Sequence, residues 1–281
     1  MSTLVAMIGL LRPLNLLQGA AAVLVTAALM PAWPPTLQVL KTVAVLLAFT
    51  GAANSLNDWF DFPIDRINRP LRPLSSGAVP RSAALALALV LFATGALIAW
   101  RLPEQARFIA LAVALPLLVV YTPWLKRLPL VGNMAVALVL GLAFLFAGAA
   151  FGHLGLMWVP FGLAAGFNLV RELVKDVQDV KGDRLDGART IAAIFGVNRA
   201  IILAQFLTLA LMIGVLIPYI LEVYGAYYLA TVIAAVELPL LYSFAYLKKH
   251  PDPEGAAWIA KVLKVDIFFG LLAVYLSKFD V

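Results

Sequence analysis

Two short stretches of the chain concentrate its few carboxylates. The first reads Asn57-Asp58-Trp59-Phe60-Asp61-Phe62-Pro63-Ile64-Asp65, an N-D-x-x-D-x-x-x-D pattern. The second reads Arg171-Glu172-Leu173-Val174-Lys175-Asp176-Val177-Gln178-Asp179-Val180-Lys181-Gly182-Asp183. On a helix Asn57, Asp61 and Asp65 stand four apart and Asp58 three before Asp61, so their side chains share a face. Pro63 loosens the last turn and leaves Asp65 the least firmly placed. Asp176, Asp179 and Asp183 repeat the spacing of three and four. Carboxylates gathered this closely repel one another and are costly near a bilayer core unless positive charge sits between them. A hard divalent cation answers that need, and Mg²⁺ takes one or two carboxylates together with substrate phosphate oxygens. Two short acidic runs therefore suit a metal–diphosphate complex better than an all-protein cage, with the nearby arginines and lysines as a clamp on the phosphates. The plainer reading is that acids and bases pair with one another to anchor helix ends. Two clusters at matching depth, both beside Gly- and Arg-rich loops, favour the substrate site. Asn168, Glu172 and Asp176 also repeat the spacing of Asn57, Asp61 and Asp65, a faint internal similarity.

The elements that must position these residues are set by composition. Of 281 residues 63% are apolar and 13% charged, which places the chain in a membrane. A span takes about 20 apolar residues, and hydropathy with the Pro, Gly and charge breaks predicts about nine of them. They fall near Leu14–Met30, Val39–Phe60, Ala83–Trp100, Phe108–Tyr121, Val131–Ala150, Leu156–Val177, Arg199–Ile217, Ala226–Leu247 and Ala257–Leu276. Helix is required, because backbone polar groups cannot face lipid unbonded and the runs are too long and too continuously apolar for barrel strands. The expected fold is all-α, a polytopic bundle around a central cavity, with residues 1–281 as one domain. Even-numbered connections carry the positive charge, including Arg66, Arg69, Arg72 and Arg81 after the second span and Lys126 with Arg127 after the fourth. The positive-inside rule puts that face, with both acidic runs and the N-terminus, in the cytoplasm. No cysteine is present, and two histidines are too few for a His-rich metal centre. The net charge of +6 is read as topology and anion binding, with no nucleic-acid partner.

The first run, with Ile67-Asn68-Arg69-Pro70-Leu71-Arg72-Pro73-Leu74-Ser75-Ser76-Gly77 behind it, resembles the first signature of the UbiA-type intramembrane prenyltransferases. The second, with Gly187-Ala188-Arg189-Thr190, resembles their second signature, and Tyr121-Thr122-Pro123-Trp124-Leu125-Lys126-Arg127 their intervening Tyr/Lys segment. The likeness runs the length of the chain. It implies that Asn57, Asp61 and Asp65 with Asp179 and Asp183 hold Mg²⁺ against an allylic prenyl diphosphate, with Asp58 and Asp176 as supporting acids. It implies diphosphate contacts from Arg72, Lys126 and Tyr121, with Arg12, Arg66, Arg69, Lys175 and Arg189 as weaker candidates. Catalysis then rests on Asp61, Asp65, Asp179, Asp183, Lys126 and Tyr121. For Arg12, a topology anchor is an equal reading. Arg72 and Lys126 are expected to direct their charge at phosphate and not at a buried partner.

Within that family the Asn68-Arg69-Pro70-x-Arg72-Pro73 segment and the second signature look most like the ether-lipid branch, which differs from the denser aspartate run of the hydroxybenzoate branch. The resemblance implies transfer of a geranylgeranyl group to the hydroxyl of a lipid glycerophosphate, geranylgeranylglyceryl phosphate, with release of diphosphate. The alternative acceptor is an aromatic or chlorin ring of the quinone, tocopherol or chlorophyll type. A small transporter is the non-enzyme alternative, but its acids belong near the midplane on broken helices, and these sit at span ends.

Overall fold

The computed structural model describes residues 3–185 and 187–280, with the side chains of residues 3, 4, 68 and 280 left aside. It divides into two compact units. Unit 1 is Met1–Arg127 with Leu142–Met157, and unit 2 is Leu128–Gly141 with Trp158–Val281.

Unit 1 opens with α1 (Thr3–Leu11) and α2 (Pro13–Leu29), bent by 51° at Arg12. Proline disfavours helical geometry in the residue before it, and Arg12 takes φ 55. That left-handed conformation costs a non-glycine residue about 1–3 kcal/mol and survives only where its surroundings hold it. The long helix α3 (Thr36–Phe60) packs on α2 and on α5 (Arg81–Ala99), and carries the first acidic run at its end. α3 and α5 approach closely at Gly95, where an added Cβ would stand 2.6 Å from the Phe49 ring. α3 stops at Asp61, and the chain restarts as α4 (Phe62–Asn68) with Pro63 in its first turn. α6 (Glu104–Tyr121) completes the unit together with the Leu142–Ala150 part of α7 (Val131–Ala150).

Unit 2 is built on α8 (Trp158–Leu185), against which the short α9 (Ile191–Phe195), α10 (Val197–Ile220) and α12 (Pro253–Leu276) pack. α11 (Ala226–Lys249) packs on α12, and the Tyr228 hydroxyl ties it to the Val215 carbonyl of α10 at 2.8 Å. α6 and α11 share a local device. Each contains a π-helical segment, Ile109–Ala114 and Val232–Glu237, directly followed by a Leu-Pro pair, Leu115-Pro116 and Leu238-Pro239. Proline has no N–H for the ordinary helical bond, and the wider π register absorbs the missing donor.

The described residues contain helices and no strand. Seven of the described helices are long and apolar enough to cross a bilayer, or eight when the bent α1–α2 pair counts as one span. The sequence-based expectation of nine differs by α12. That helix has 24 residues, but Lys261, Lys264 and Asp266 lie in its apolar stretch. The other boundaries fall close to their expected positions, except that α8 runs past the expected end at Val177 to Leu185 and so holds the whole second acidic run.

Candidate active site

Unit 1 assembles its acidic run into a chain of ion pairs. Asn54, Asn57 and Asp58 stand on one face of the last turns of α3, and Asp61 sits at the break with φ −77 and ψ 0, a region often used at functional sites. The Asp61 amide bonds the Asn57 carbonyl and the Asp65 amide bonds the Asp61 carbonyl, each at 2.8 Å, so the spacing of four carries across the break. Asp65 is therefore held firmly and buried, where the sequence placed it least securely. Arg12 donates to Asp58 at 2.5 Å and to the Asn54 Oδ1 at 3.4 Å. Asn54 in turn donates to the Leu11 carbonyl at 3.0 Å, which the bend leaves without a helical donor. These bonds hold the left-handed Arg12 against the first acidic run. Arg72 reaches both Asp58, at 3.2 Å, and Asp65. Lys126 pairs with Asp61 at 2.5 Å, and Thr122 donates to the Asn57 Oδ1 at 3.4 Å. Tyr121 is the last residue of α6, next to Thr122.

Arg72 and Lys126 thus have carboxylate partners, contrary to the sequence-based expectation, because the turns after α4 and α6 return them to the end of α3. Burial pushes the Asp65 carboxyl above its ordinary value; Arg72 opposes the shift, and Asp61 and Asp58 add to it. Burial lowers the Arg72 guanidinium from its ordinary value, as do Arg12 and Arg69, while the two carboxylates work to keep its proton. Arg69 is half-buried just beyond α4 and within electrostatic reach of Arg72. Arg66 lies over the Phe62 ring at 6.0 Å, and Arg81 lies over Trp59 at 4.8 Å and donates to its carbonyl. The Asn68 side chain lies outside the described residues.

In unit 2 the second run lies on the last turns of α8. Glu172 is buried and accepts from Arg171 at 3.0 Å and from Lys175 at 2.7 Å. Asp176 accepts from Asn133 of α7 at 2.9 Å. Asp179 follows one turn later, within electrostatic reach of Lys175. Asp183 accepts at 3.1 Å from the Thr190 hydroxyl, whose oxygen also caps α9 by accepting from the Ala193 amide at 3.3 Å. Arg189, just before that cap, is exposed. Asn168, which the spacing set against Asn57, is buried and donates to the Ala164 carbonyl of its own helix.

Sequence reasoning missed Asn54, Thr122, Asn133 and Thr190. Each had a signal: Asn54 and Asn133 are amides inside apolar runs, and Thr122 and Thr190 lie within the recognised segments without an assigned role. Among the described residues no three acids or histidines converge to hold an ion by themselves. That fits Mg²⁺ bound by one or two carboxylates and completed by phosphate oxygens and water, since the donor set is hard oxygen throughout.

Apolar spans whose ends carry carboxylates interlocked with arginine and lysine mark an integral membrane protein. The comparisons give the class a family. The chain belongs to the UbiA prenyltransferase family, whose pattern matches residues 17–270. A digeranylgeranylglyceryl phosphate synthase of Natronomonas pharaonis is 38% identical over 249 residues, 88% of this chain and 87% of that one. A solved structure of a digeranylgeranylglyceryl phosphate synthase in membranes aligns over 100% of both chains with TM-score 0.76 and 27% identity. A UbiA homologue from Archaeoglobus fulgidus solved with GPP and Mg²⁺ shares the fold, with TM-score 0.72 and 16% identity over 96% of this chain and 99% of that one. The chain is a prenyltransferase, as its family membership and these relatives establish.

Proposed function

We propose that this enzyme transfers a geranylgeranyl group from geranylgeranyl diphosphate to the hydroxyl of geranylgeranylglyceryl phosphate in ether-lipid synthesis. The acceptor assignment rests on the relatives named for that product, which cover more than four fifths of the chain at 38% identity in the Natronomonas case. The carrying observation is the ion-pair chain Arg12–Asp58–Arg72–Asp65 beside Lys126–Asp61. Such a network is poised for exchange. Phosphate oxygens can replace the carboxylates on Arg72 and Lys126, which frees Asp61 and Asp65 to act as oxygen ligands. Mg²⁺, when bound, neutralises charge developing on the leaving diphosphate.

Asn57, Asp61 and Asp65 are the proposed ligands in unit 1, and Asp179 and Asp183 those in unit 2, with Asp58 and Asp176 in support. Both runs are proposed to serve the same reaction, with residues 1–281 read as one prenyltransferase domain. Asp58 keeps Arg12 and Arg72 oriented, Asn133 orients Asp176, and Thr190 orients Asp183. Tyr121, Arg69 and Lys175 complete the proposed diphosphate contacts. As the allylic C–O bond breaks, Arg72 and Lys126 stabilise the departing oxygens and the apolar spans keep water from the allylic cation. The acceptor oxygen then bonds the allylic carbon and releases its proton. The positive charge of the connections supports a cytoplasmic position for this face in a cell-membrane protein.

The test is an assay of purified protein with geranylgeranyl diphosphate and a panel of glycerophosphate, aromatic and chlorin acceptors. Turnover confined to geranylgeranylglyceryl phosphate is expected. Turnover confined to an aromatic or chlorin acceptor overturns the assignment.

A further inference from the structure

Two acids of unit 2 that belong to neither acidic run have buried carboxylate oxygens without a hydrogen-bond partner among the described residues. Glu237 ends the π segment of α11, and Asp266 lies within α12. At 1.5 Å per residue Asp266 stands about 20 Å along the helix from Pro253 and about 15 Å from Leu276, and Glu237 is close to the middle of α11. Asp266 is 1% exposed, and neither of its carboxylate oxygens has a hydrogen-bond partner among the described residues. The Glu237 Oε1 is buried in the same condition. α11 and α12 pack on one another, and Glu237 acts electrostatically on Asp266.

Nearby groups have other engagements. The Tyr228 hydroxyl, also within reach of Glu237, donates to the Val215 carbonyl. α8, which packs on α12, carries Arg171 and Lys175, and both donate to Glu172 of the same helix, with the Arg171 Nε left buried and without a hydrogen-bond partner among the described residues. Tyr242 of α11 accepts from Trp258. Lys264 and Lys261 stand two and five residues before Asp266, outside the helical neighbour spacings of three and four.

An ionised carboxylate buried in the middle of a helix with no partner is strongly disfavoured, and a second acid nearby adds to that. A hard metal ion wants about six oxygen ligands, more than this pair supplies, whereas a proton needs one. We propose that Glu237 and Asp266 form a proton-binding pair, in which a proton takes the place of the missing partner of Asp266. Neither acid belongs to the two runs proposed for the diphosphate.

The experiment uses the purified full chain in detergent, with infrared spectra and thermal unfolding recorded in sodium chloride and in choline chloride. Loss of one carboxylic-acid C=O component in Asp266→Asn is expected and assigns the proton to Asp266. Glu237→Gln, the second variant, is expected to shift that band, since it removes the second acid of the pair. A wild type with no carboxylic-acid component that Asp266→Asn removes overturns the proposal. So does stabilisation by sodium over choline that Asp266→Asn abolishes, which would assign a metal ion in place of the proton.

Discussion

Arg72→Ala tests the ion-pair chain most directly. Arg72 is 19% exposed and bridges Asp58 and Asp65, whose side chains are 3% and 7% exposed. Removing one partner of a buried pair costs about 3–5 kcal/mol. Asp58 retains Arg12 at 2.5 Å, so the loss falls chiefly on Asp65 and is expected to be roughly 2–3 kcal/mol at neutral pH, on the order of a hundredfold in the folding equilibrium. The pH dependence has a definite sign. The Asp65 carboxyl already lies above its ordinary value, and Arg72 was lowering it. In the variant the folded-state value rises further above the unfolded one, so folded stability is retained at low pH and lost as pH rises through that value. The deficit relative to wild type should therefore shrink as pH falls from neutral toward the ordinary carboxyl range. The assay is denaturation of the ligand-free protein in mixed micelles across that range, with Asp65→Asn and the double variant closing a cycle. Asp65→Asn should rescue most of the loss, since an amide needs no cation. Equal stability of Arg72→Ala and wild type at neutral pH, or a double variant no better than Arg72→Ala, would refute the reasoning.

Other outcomes follow from the same geometry. Asp61→Ala and Asp179→Ala should each abolish turnover and leave the protein folded, as judged by circular dichroism, and EDTA should inhibit the wild type until Mg²⁺ is restored. Retained activity in either variant would remove its run from the metal site. Asn133→Leu removes the hydrogen bond that Asp176 accepts from Asn133 at 2.9 Å, a loss of about 1–3 kcal/mol, and is expected to raise the Mg²⁺ requirement roughly tenfold in steady-state assays. Because Asp65 is protonated more readily than an ordinary carboxyl, activity should fall as pH drops through its range. Excess Mg²⁺ should move that acid limb to lower pH by competing with the proton, and a limb indifferent to Mg²⁺ would assign it elsewhere.

Much of this protein is local in origin and so was determined by the sequence alone. Apolar run length decides whether a segment crosses a bilayer, and the helices from Pro13 to Leu276 begin and end close to where hydropathy and the Pro and Gly breaks put them. The acidic runs were equally visible, since a spacing of three and four on a helix needs no tertiary information. Even α12, which the charge of Lys261, Lys264 and Asp266 sets apart, was legible as a long helix.

What each charge faces was decided only by tertiary structure. Arg12 and Asp58 are 46 residues apart in sequence, and Lys126 and Asp61 are 65 apart. Their meeting depends on the bend at Arg12, on the turns that bring Arg72 and Lys126 back, and on close helix approaches such as Gly95 against Phe49. Helix rotation and tilt in a membrane are set by packing against neighbours, which hydropathy does not encode. For the same reason the sequence could mark Asp266 as a charge in an apolar run but could not tell whether a partner waited for it. The fold buries it at 1% exposure with no hydrogen-bond partner among the described residues, while Arg171 and Lys175 of α8 bond Glu172 of their own helix.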